Sequence, residues 1–278
     1  MFNNSRVVPV SVVVPCYCCS QTLLRAIESV FAQTVIPTEI ITIDDCSTDG
    51  TSLLLNELSI KYKGILKVIT LEANVGAASA RNVGWSLATQ PYIAFLDADD
   101  AWHPKKLEIQ VEYMTKNPQI SLCGHHYKVL KDTQMLTEWS LKNFDSTLIS
   151  KRAMLMSNKL VTPSIMLKRS LPNRFLEGRR FVDDHLLWLE LIFEGHKIAK
   201  LNIELVAIYK ELFGFSGLSS NLWLMEKNEL LNYGIIFKKG YINIFQWMSI
   251  FIYSFLKYIR RLFIYEFYIR QNKNKVSK

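Results

Sequence analysis

The sequence predicts an α/β protein built on a mainly parallel sheet flanked by helices. Three observations carry that reading. The first hundred residues alternate short β-rich apolar runs with helix-spaced segments. Acidic residues follow the second and fourth of those runs, where parallel sheets open a crevice beyond their strand ends. At 278 residues the chain is long enough for one large domain with an appendage.

The elements follow in order. Residues 10–14 are apolar and β-branched and predict the first strand. Over 22–32, Leu23, Ala26, Ile27, Val30 and Phe31 share one helical face. A second strand at 39–43 closes on Asp44-Asp45. Ser47-Thr48-Asp49-Gly50-Thr51 is turn and cap chemistry, and predicts a helix through Leu58. A third strand at 65–71, an Ala-rich helix at 76–87 and a fourth strand at 92–96 complete the alternation. Beyond Pro104 the pattern loosens. Helices are expected at 105–116, 183–194 and 221–233, and strands at 120–130, 161–167 and 205–210, with a polar connection between the first two strands. The expected organisation is 1–104 and 105–220 as two halves of one domain, with 221–278 as a helical, basic appendage.

Asp97-Ala98-Asp99-Asp100 follows the fourth strand directly. Three carboxylates in four residues repel one another, and a hard divalent cation such as Mg²⁺ or Mn²⁺ would relieve that repulsion through oxygen ligands. An acidic turn before the helix near Pro104 fits the same residues. No GxGxxG follows the first strand and no GxxxxGK[ST] occurs, which argues against dinucleotide and P-loop chemistry.

The net charge is +8, and from Lys238 onward nine basic residues face Glu266 alone; the first 237 residues are neutral by count. Such asymmetry points to a polyanionic partner. Residues 241–268 are dense in aromatic and aliphatic side chains. On a helix, Gln246, Ser249, Tyr253, Lys257, Arg260 and Arg261 would form the polar stripe. An amphipathic helix lying on an anionic membrane surface fits apolar face and positive charge together. The alternatives are packing on the body or in a homodimer. Residues 241–256 are shorter than the roughly 20 needed to span a bilayer, and the stretch is too continuously apolar for a nucleic-acid arm. Cys16, Cys18, Cys19, Cys46 and Cys123 are odd in number and crowded, a poor disulfide framework that suits reduced thiols, and no second Cys/His pair at zinc spacing accompanies them. Residues 7–14 contain Pro9 and lack a small-residue cleavage site, so they predict a first strand rather than a leader.

Five ordered segments now carry a resemblance. They are Val12-Val13-Val14-Pro15-Cys16-Tyr17, Ser29-Val30-Phe31-Ala32-Gln33-Thr34, residues 40–51 with Ile43-Asp44-Asp45-Cys46-Ser47, residues 74–84 with Ala80-Arg81-Asn82, and residues 92–100 continued by Trp102-His103-Pro104-Lys105-Lys106-Leu107. Together they resemble the inverting family 2 glycosyltransferases. The resemblance implies the Rossmann-like GT-A fold, a nucleotide-diphospho-sugar donor (UDP-linked as the family expectation), a glycan or lipid-linked glycan acceptor, and Mn²⁺ or Mg²⁺. It implies that Pro15 and Tyr17 line the nucleoside pocket, that Asp45 accepts hydrogen bonds from the base, and that Arg81 sits near base or diphosphate. It also implies that Asp97, Ala98 and Asp99 serve ribose, metal and diphosphate, with Asp99 the direct metal ligand and Asp97 beside it. Phe181-Val182-Asp183-Asp184-His185 occupies the place of the family's base-bearing helix start, which makes Asp184 the expected catalytic base. Acidic residues also suit any helix N-terminus. Cys18, Cys46 and Glu190 depart from the usual pattern. The resulting expectation is an inverting transferase on the cytoplasmic, inner face of the cell membrane. A catalytically inactive nucleotide-sugar binder is the alternative.

Overall fold

The structure is a computed structural model that describes residues 6–130, 141, 143–209 and 221–276. A nine-stranded mixed sheet runs through it. The strands β1 (Val7–Cys16), β2 (Ile36–Asp44), β3 (Leu66–Thr70) and β4 (Tyr92–Phe95) form its parallel portion in the order β3-β2-β1-β4. The second half of the chain extends the same sheet. β8 (Met166–Lys168) pairs antiparallel with β4 and with β6 (Ile120–Val129), and β6 pairs parallel with β9 (Lys197–Ile208). β9 also takes β5 (Ala101–Trp102) and β7 (Ser146–Leu148) as antiparallel partners.

Side-chain alternation along β1 builds two cores, because successive residues of a strand point to opposite faces. Val10, Val12 and Val14 pack with α1 (Leu23–Phe31), α2 (Thr51–Lys61) and α4 (Lys106–Lys116). Val13 packs on the other face with α3 (Ala77–Leu87), α6 (Asp183–Phe193) and α7 (Leu222–Lys238). A Cβ on Gly84 would lie 2.3 Å from Val13 Cγ1, so glycine is what lets α3 approach β1.

Three expectations change in the second half. Residues 161–167 are not one strand: Thr162–Ser164 is a 3₁₀ turn, and the strand is confined to Met166–Lys168. Pro163 has no N–H to offer a ladder. The last strand begins at Lys197, well before the expected 205: buried Leu201, Ile203 and Leu205 alternate with Lys200, Asn202 and Glu204, the two-residue period of a half-buried strand. Its expected end at Lys210 lies outside the described residues. The polar connection contains β7 and a short helix, α5 (Lys151–Met156), whose start is capped by Ser150 Oγ accepting from Ala153 N at 3.1 Å.

The appendage forms α8 (Ile244–Val276), and its expected polar stripe is partly inverted. Ser254, Lys257 and Arg261 face the body, where Ser254 is buried and both cations pair with Glu226 and Glu229 of α7. Phe245, Met248, Ile252, Phe255, Leu256 and Phe263 face outward. Two carboxylates buried on α7 outweigh the tendency of Lys and Arg to seek water. Among the described residues no helix is long and apolar enough to cross a membrane.

Candidate active site

The ends of β1, β2 and β4 lie side by side, and their loops are tied together before any ligand is considered. After β2, Asp44 accepts from Ser47 N at 3.1 Å and from Ser52 Oγ at 2.5 Å. Asp45, 2% exposed, accepts from Val75 N and Gly76 N at 2.7 and 2.8 Å, which fixes the entry to α3. After β1, the Cys18 and Cys19 amides donate to Ser47 Oγ and Thr51 Oγ1. The Ser-Thr-Asp-Gly-Thr turn therefore organises two loops. Pro15 is half-buried and Tyr17 is exposed at the rim.

Among the described residues three non-glycine positions adopt left-handed backbone: Cys18 (φ 46°), Cys46 (φ 60°) and Val182 (φ 55°). They stand directly after Tyr17, directly after Asp45 and directly before Asp183. Left-handed backbone is costly for a β-branched residue such as Val182. Such strain gathers where surrounding structure imposes a functional geometry. Here Asn232 of α7 donates to the Val182 carbonyl at 2.8 Å, and Arg179 in turn bonds Asn232.

Beyond β4, Asp97, Asp99 and Asp100 each offer a carboxylate oxygen, and these oxygens lie within 4.8 Å of one another. Asp100 N donates to Asp97 O at 3.1 Å, closing a tight turn. Ala98 is buried within it, and Arg25 donates to the Asp99 carbonyl at 2.8 Å. Trp102 anchors the far side, with its indole N–H on Pro163 O at 2.8 Å and its backbone N–H on Ser29 Oγ at 3.0 Å. Three converging hard oxygen donors on a fixed turn fit Mg²⁺ or Mn²⁺.

Arg81 joins the two halves. Its guanidinium lies 2.6 Å from Asp97 Oδ1 and 3.6 Å from Asp183 Oδ2. It is buried, with Phe175 stacked 5.5 Å beneath it, and Asn82 holds that phenylalanine by two backbone bonds. Asp183 and Asp184 open α6, where the helix N-terminus favours negative charge. Asp184 is held on both oxygens. Oδ1 accepts from its neighbour's backbone, His185 N, at 2.7 Å, and Oδ2 accepts from Asn158 Nδ2 at 3.0 Å and from Thr162 Oγ1 at 3.4 Å. Burial pushes the Asp183 carboxyl up to about 6 and raises that of Asp184 as well. A carboxylate poised in this way can take a proton near neutral pH.

The residues singled out in the sequence fall at neighbouring strand ends and one helix start: Pro15, Tyr17 and Asp45 at the ends of β1 and β2, Asp97, Ala98 and Asp99 on the turn after β4, and Arg81 bridging Asp97 to Asp183, which precedes Asp184 at the start of α6. Asp100 joins the acidic group. Asn158 and Thr162, which fix Asp184, and Asn232, which holds Val182, carry no sequence signal, since each is a lone polar residue outside any spacing pattern. Glu190, a departure from the expected pattern, accepts from Lys239 Nζ at 2.7 Å and braces α6 against the end of α7. His125 is buried on β6 with Nδ1 on the His126 carbonyl at 2.8 Å.

Comparison with known proteins gives a consistent result. The model of the Glycosyl transferase family 2 matches residues 11–170. A relative from Escherichia coli, the UDP-Glc:alpha-D-GlcNAc-diphosphoundecaprenol beta-1,3-glucosyltransferase WfgD, is 30% identical over 212 residues, covering 76% of this chain and 80% of its own. Among solved structures, S. aureus TarS 1-349 in complex with UDP-GlcNAc superposes with a TM-score of 0.68 at 19% identity, covering 92% of this chain and 73% of that one. The chain spans 40% of the longer TarS chain. The mannosyltransferase PcManGT from Pyrobaculum calidifontis, in complex with GDP-Man and Mn2+, has a TM-score of 0.60 at 16% identity over 83% of this chain and 64% of its own. The structural likenesses concern the fold.

Proposed function

Because the chain belongs to the Glycosyl transferase family 2, we propose that it moves a sugar, with inversion, from a UDP-sugar to a hydroxyl of a lipid-linked glycan, as in cell-surface polysaccharide synthesis. The observation that carries this reading is Asp184, a buried carboxylate with raised proton affinity. It is held by Asn158 and Thr162 next to Asp183, which Arg81 ties to Asp97 of the acidic turn. The names of the relatives support donor and acceptor class: WfgD is described as acting with UDP-Glc on GlcNAc-diphosphoundecaprenol.

The chemistry follows from the residues. Tyr17 at the rim offers a ring face to the uracil, and the Asp45 loop closes the nucleoside side. Asp184 accepts the proton of the acceptor hydroxyl as its oxygen bonds to the anomeric carbon. The bond from that carbon to the diphosphate oxygen breaks in the same displacement, and the nucleoside diphosphate departs with the electron pair. Asp99, with Asp97 and Asp100, would hold the divalent ion, whose charge stabilises the leaving diphosphate. Arg81 keeps Asp97 and Asp183 apart from mutual repulsion and so holds donor floor and base helix in register. A retired binder would not need Asp184 so fully oriented, and that orientation favours the enzyme over the non-catalytic reading.

The outward face of α8 supports a peripheral place on the cytoplasmic side of the membrane. Phe245, Leu256 and Phe263 are 77%, 58% and 70% exposed, and the chain from Lys238 onward, which includes α8, carries all of its excess positive charge. Such a face is the kind that enters the headgroup region. The acceptor's lipid would then be presented at the same surface. A panel of UDP-sugars with Mn²⁺ and a GlcNAc-diphosphoundecaprenol acceptor tests the whole reading. One UDP-sugar should be turned over by the wild type and by neither Asp184→Asn nor Asp99→Ala; donor binding with no turnover would favour the inactive binder.

A further inference from the structure

α5 is six residues long, too short to satisfy its own final carbonyls. Three side chains from three other helices take them. His185 Nε2 of α6 lies 2.8 Å from Met154 O, the Tyr233 hydroxyl of α7 lies 2.9 Å from Leu155 O, and Lys257 Nζ of α8 donates to Met156 O at 2.9 Å. Lys257 also donates to Glu229 Oε1 at 2.8 Å, and the Tyr233 hydroxyl lies 2.8 Å from that same oxygen. The end of α5 is therefore the meeting point of α6, α7 and α8. Just beyond it comes Asn158, whose side chain donates to Asp184.

We propose that Lys257 is a positioning residue for the catalytic base. By joining Met156 O to Glu229 it fixes the end of α5, and thereby Asn158 and the carboxylate of Asp184. The inference rests on Asp184 being the base. It gives α8 a second task. The helix that offers an apolar face outward also closes the frame around the reacting carboxylate, and its opposite, inward side does so through the Lys257 charge. Small displacements of a catalytic group cost rate steeply, so loosening this corner lowers turnover more than donor binding.

The test uses the full chain with detergent-solubilised GlcNAc-diphosphoundecaprenol, so that membrane anchoring has no part in the rate. Lys257→Met should lower kcat on the order of 10- to 100-fold with KM for the UDP-sugar unchanged. Lys257→Arg, which keeps charge and donors, should restore most of the rate. Ser254→Ala, which loosens the same seam without touching α5, should leave it at the wild-type level. Hydrogen exchange over 151–160 should speed up in Lys257→Met while α3 stays protected. A Lys257→Met kcat within about twofold of wild type, or unchanged exchange over 151–160, overturns the proposal; twofold lies below what even a modest loss of alignment produces. A wild type that transfers no sugar would instead sink the reading of Asp184, and the exchange data would still decide whether Lys257 fixes the segment.

Discussion

Arg81 and Asp97 meet at 2.6 Å, and the same guanidinium lies 3.6 Å from Asp183. One buried cation thus ties the end of β4 to the start of α6, the two places that the proposed mechanism uses. A planar guanidinium can serve two carboxylates at once, which a lysine ammonium on a flexible stem does poorly.

Removing that cation leaves two carboxylates facing each other across the crevice. Arg81→Met should destabilise the fold by about 3–5 kcal/mol, the usual cost of breaking a buried pair from one side, and Arg81→Lys should rescue only part of it. Urea unfolding measures the first effect and turnover the second. Lost turnover at an unchanged unfolding midpoint would mean that Arg81 serves the donor directly instead of bridging.

The pH profile should carry the mark of the Asp pair. Burial raises both carboxyls above the ordinary value of 3.8, Asp183 to about 6. Because the base must be ionised, kcat should rise with pH along a limb that belongs to the pair and lies above 3.8. The Asn158 amide favours the charged form of Asp184, so Asn158→Ala should move that limb upward. The effect on stability has the opposite sense. A carboxyl whose proton affinity is higher in the native state favours folding when protonated. The contribution of Asp183 is thus full below 3.8 and lost as pH rises through about 6, and Asp183→Asn should flatten that slope in urea midpoints.

The acidic turn should respond to metal even without substrate. Mn²⁺ binding to the native state should raise Tm, by linkage of the order of 2.7 kcal/mol at a hundredfold excess over Kd. Asp99→Asn and Asp100→Asn should each reduce that gain, since each removes one charged oxygen ligand from the cluster. Chelation should abolish transfer and added Mn²⁺ or Mg²⁺ should restore it. A wild-type melting curve indifferent to both ions would remove the metal from the scheme.

The outward face of α8 should bind anionic vesicles in a salt-sensitive way, as attraction between exposed charges and a charged surface is screened. Phe255→Asp with Leu256→Asp should release the protein from phosphatidylglycerol vesicles without disturbing the inward seam of Ser254, Lys257 and Arg261. Deletion of 241–278 should do the same. Unchanged sedimentation with vesicles would sink the membrane assignment, and a shift from dimer to monomer on gel filtration would give this face to a second copy of the chain.

Much of the first half was legible because its signals are local. The β-branched run of 10–14 marks β1, and the helix spacing of Leu23, Ala26, Ile27 and Val30 marks the buried face of α1. The second half was harder for a physical reason. β9 shows a two-residue period over Lys200, Asn202 and Glu204 but becomes a continuous apolar run only at Leu205, and Pro163 interrupts a run whose apolarity alone suggests a strand.

By itself the sequence determined the α/β class, the strand-end acidic turn and the Asp183-Asp184 helix start, because strand period, turn chemistry and charge clustering act over a few residues. Only the tertiary structure decided what surrounds Asp184. Arg81, the 158–162 segment that carries Asn158 and Thr162, and Lys257 come from three separate stretches of chain, and no periodicity joins them. It also decided which side of α8 faces out. The helix pattern marks a polar stripe but is silent on where it points, and the buried Glu226 and Glu229 on α7 turn Lys257 and Arg261 inward and leave the aromatic face outside.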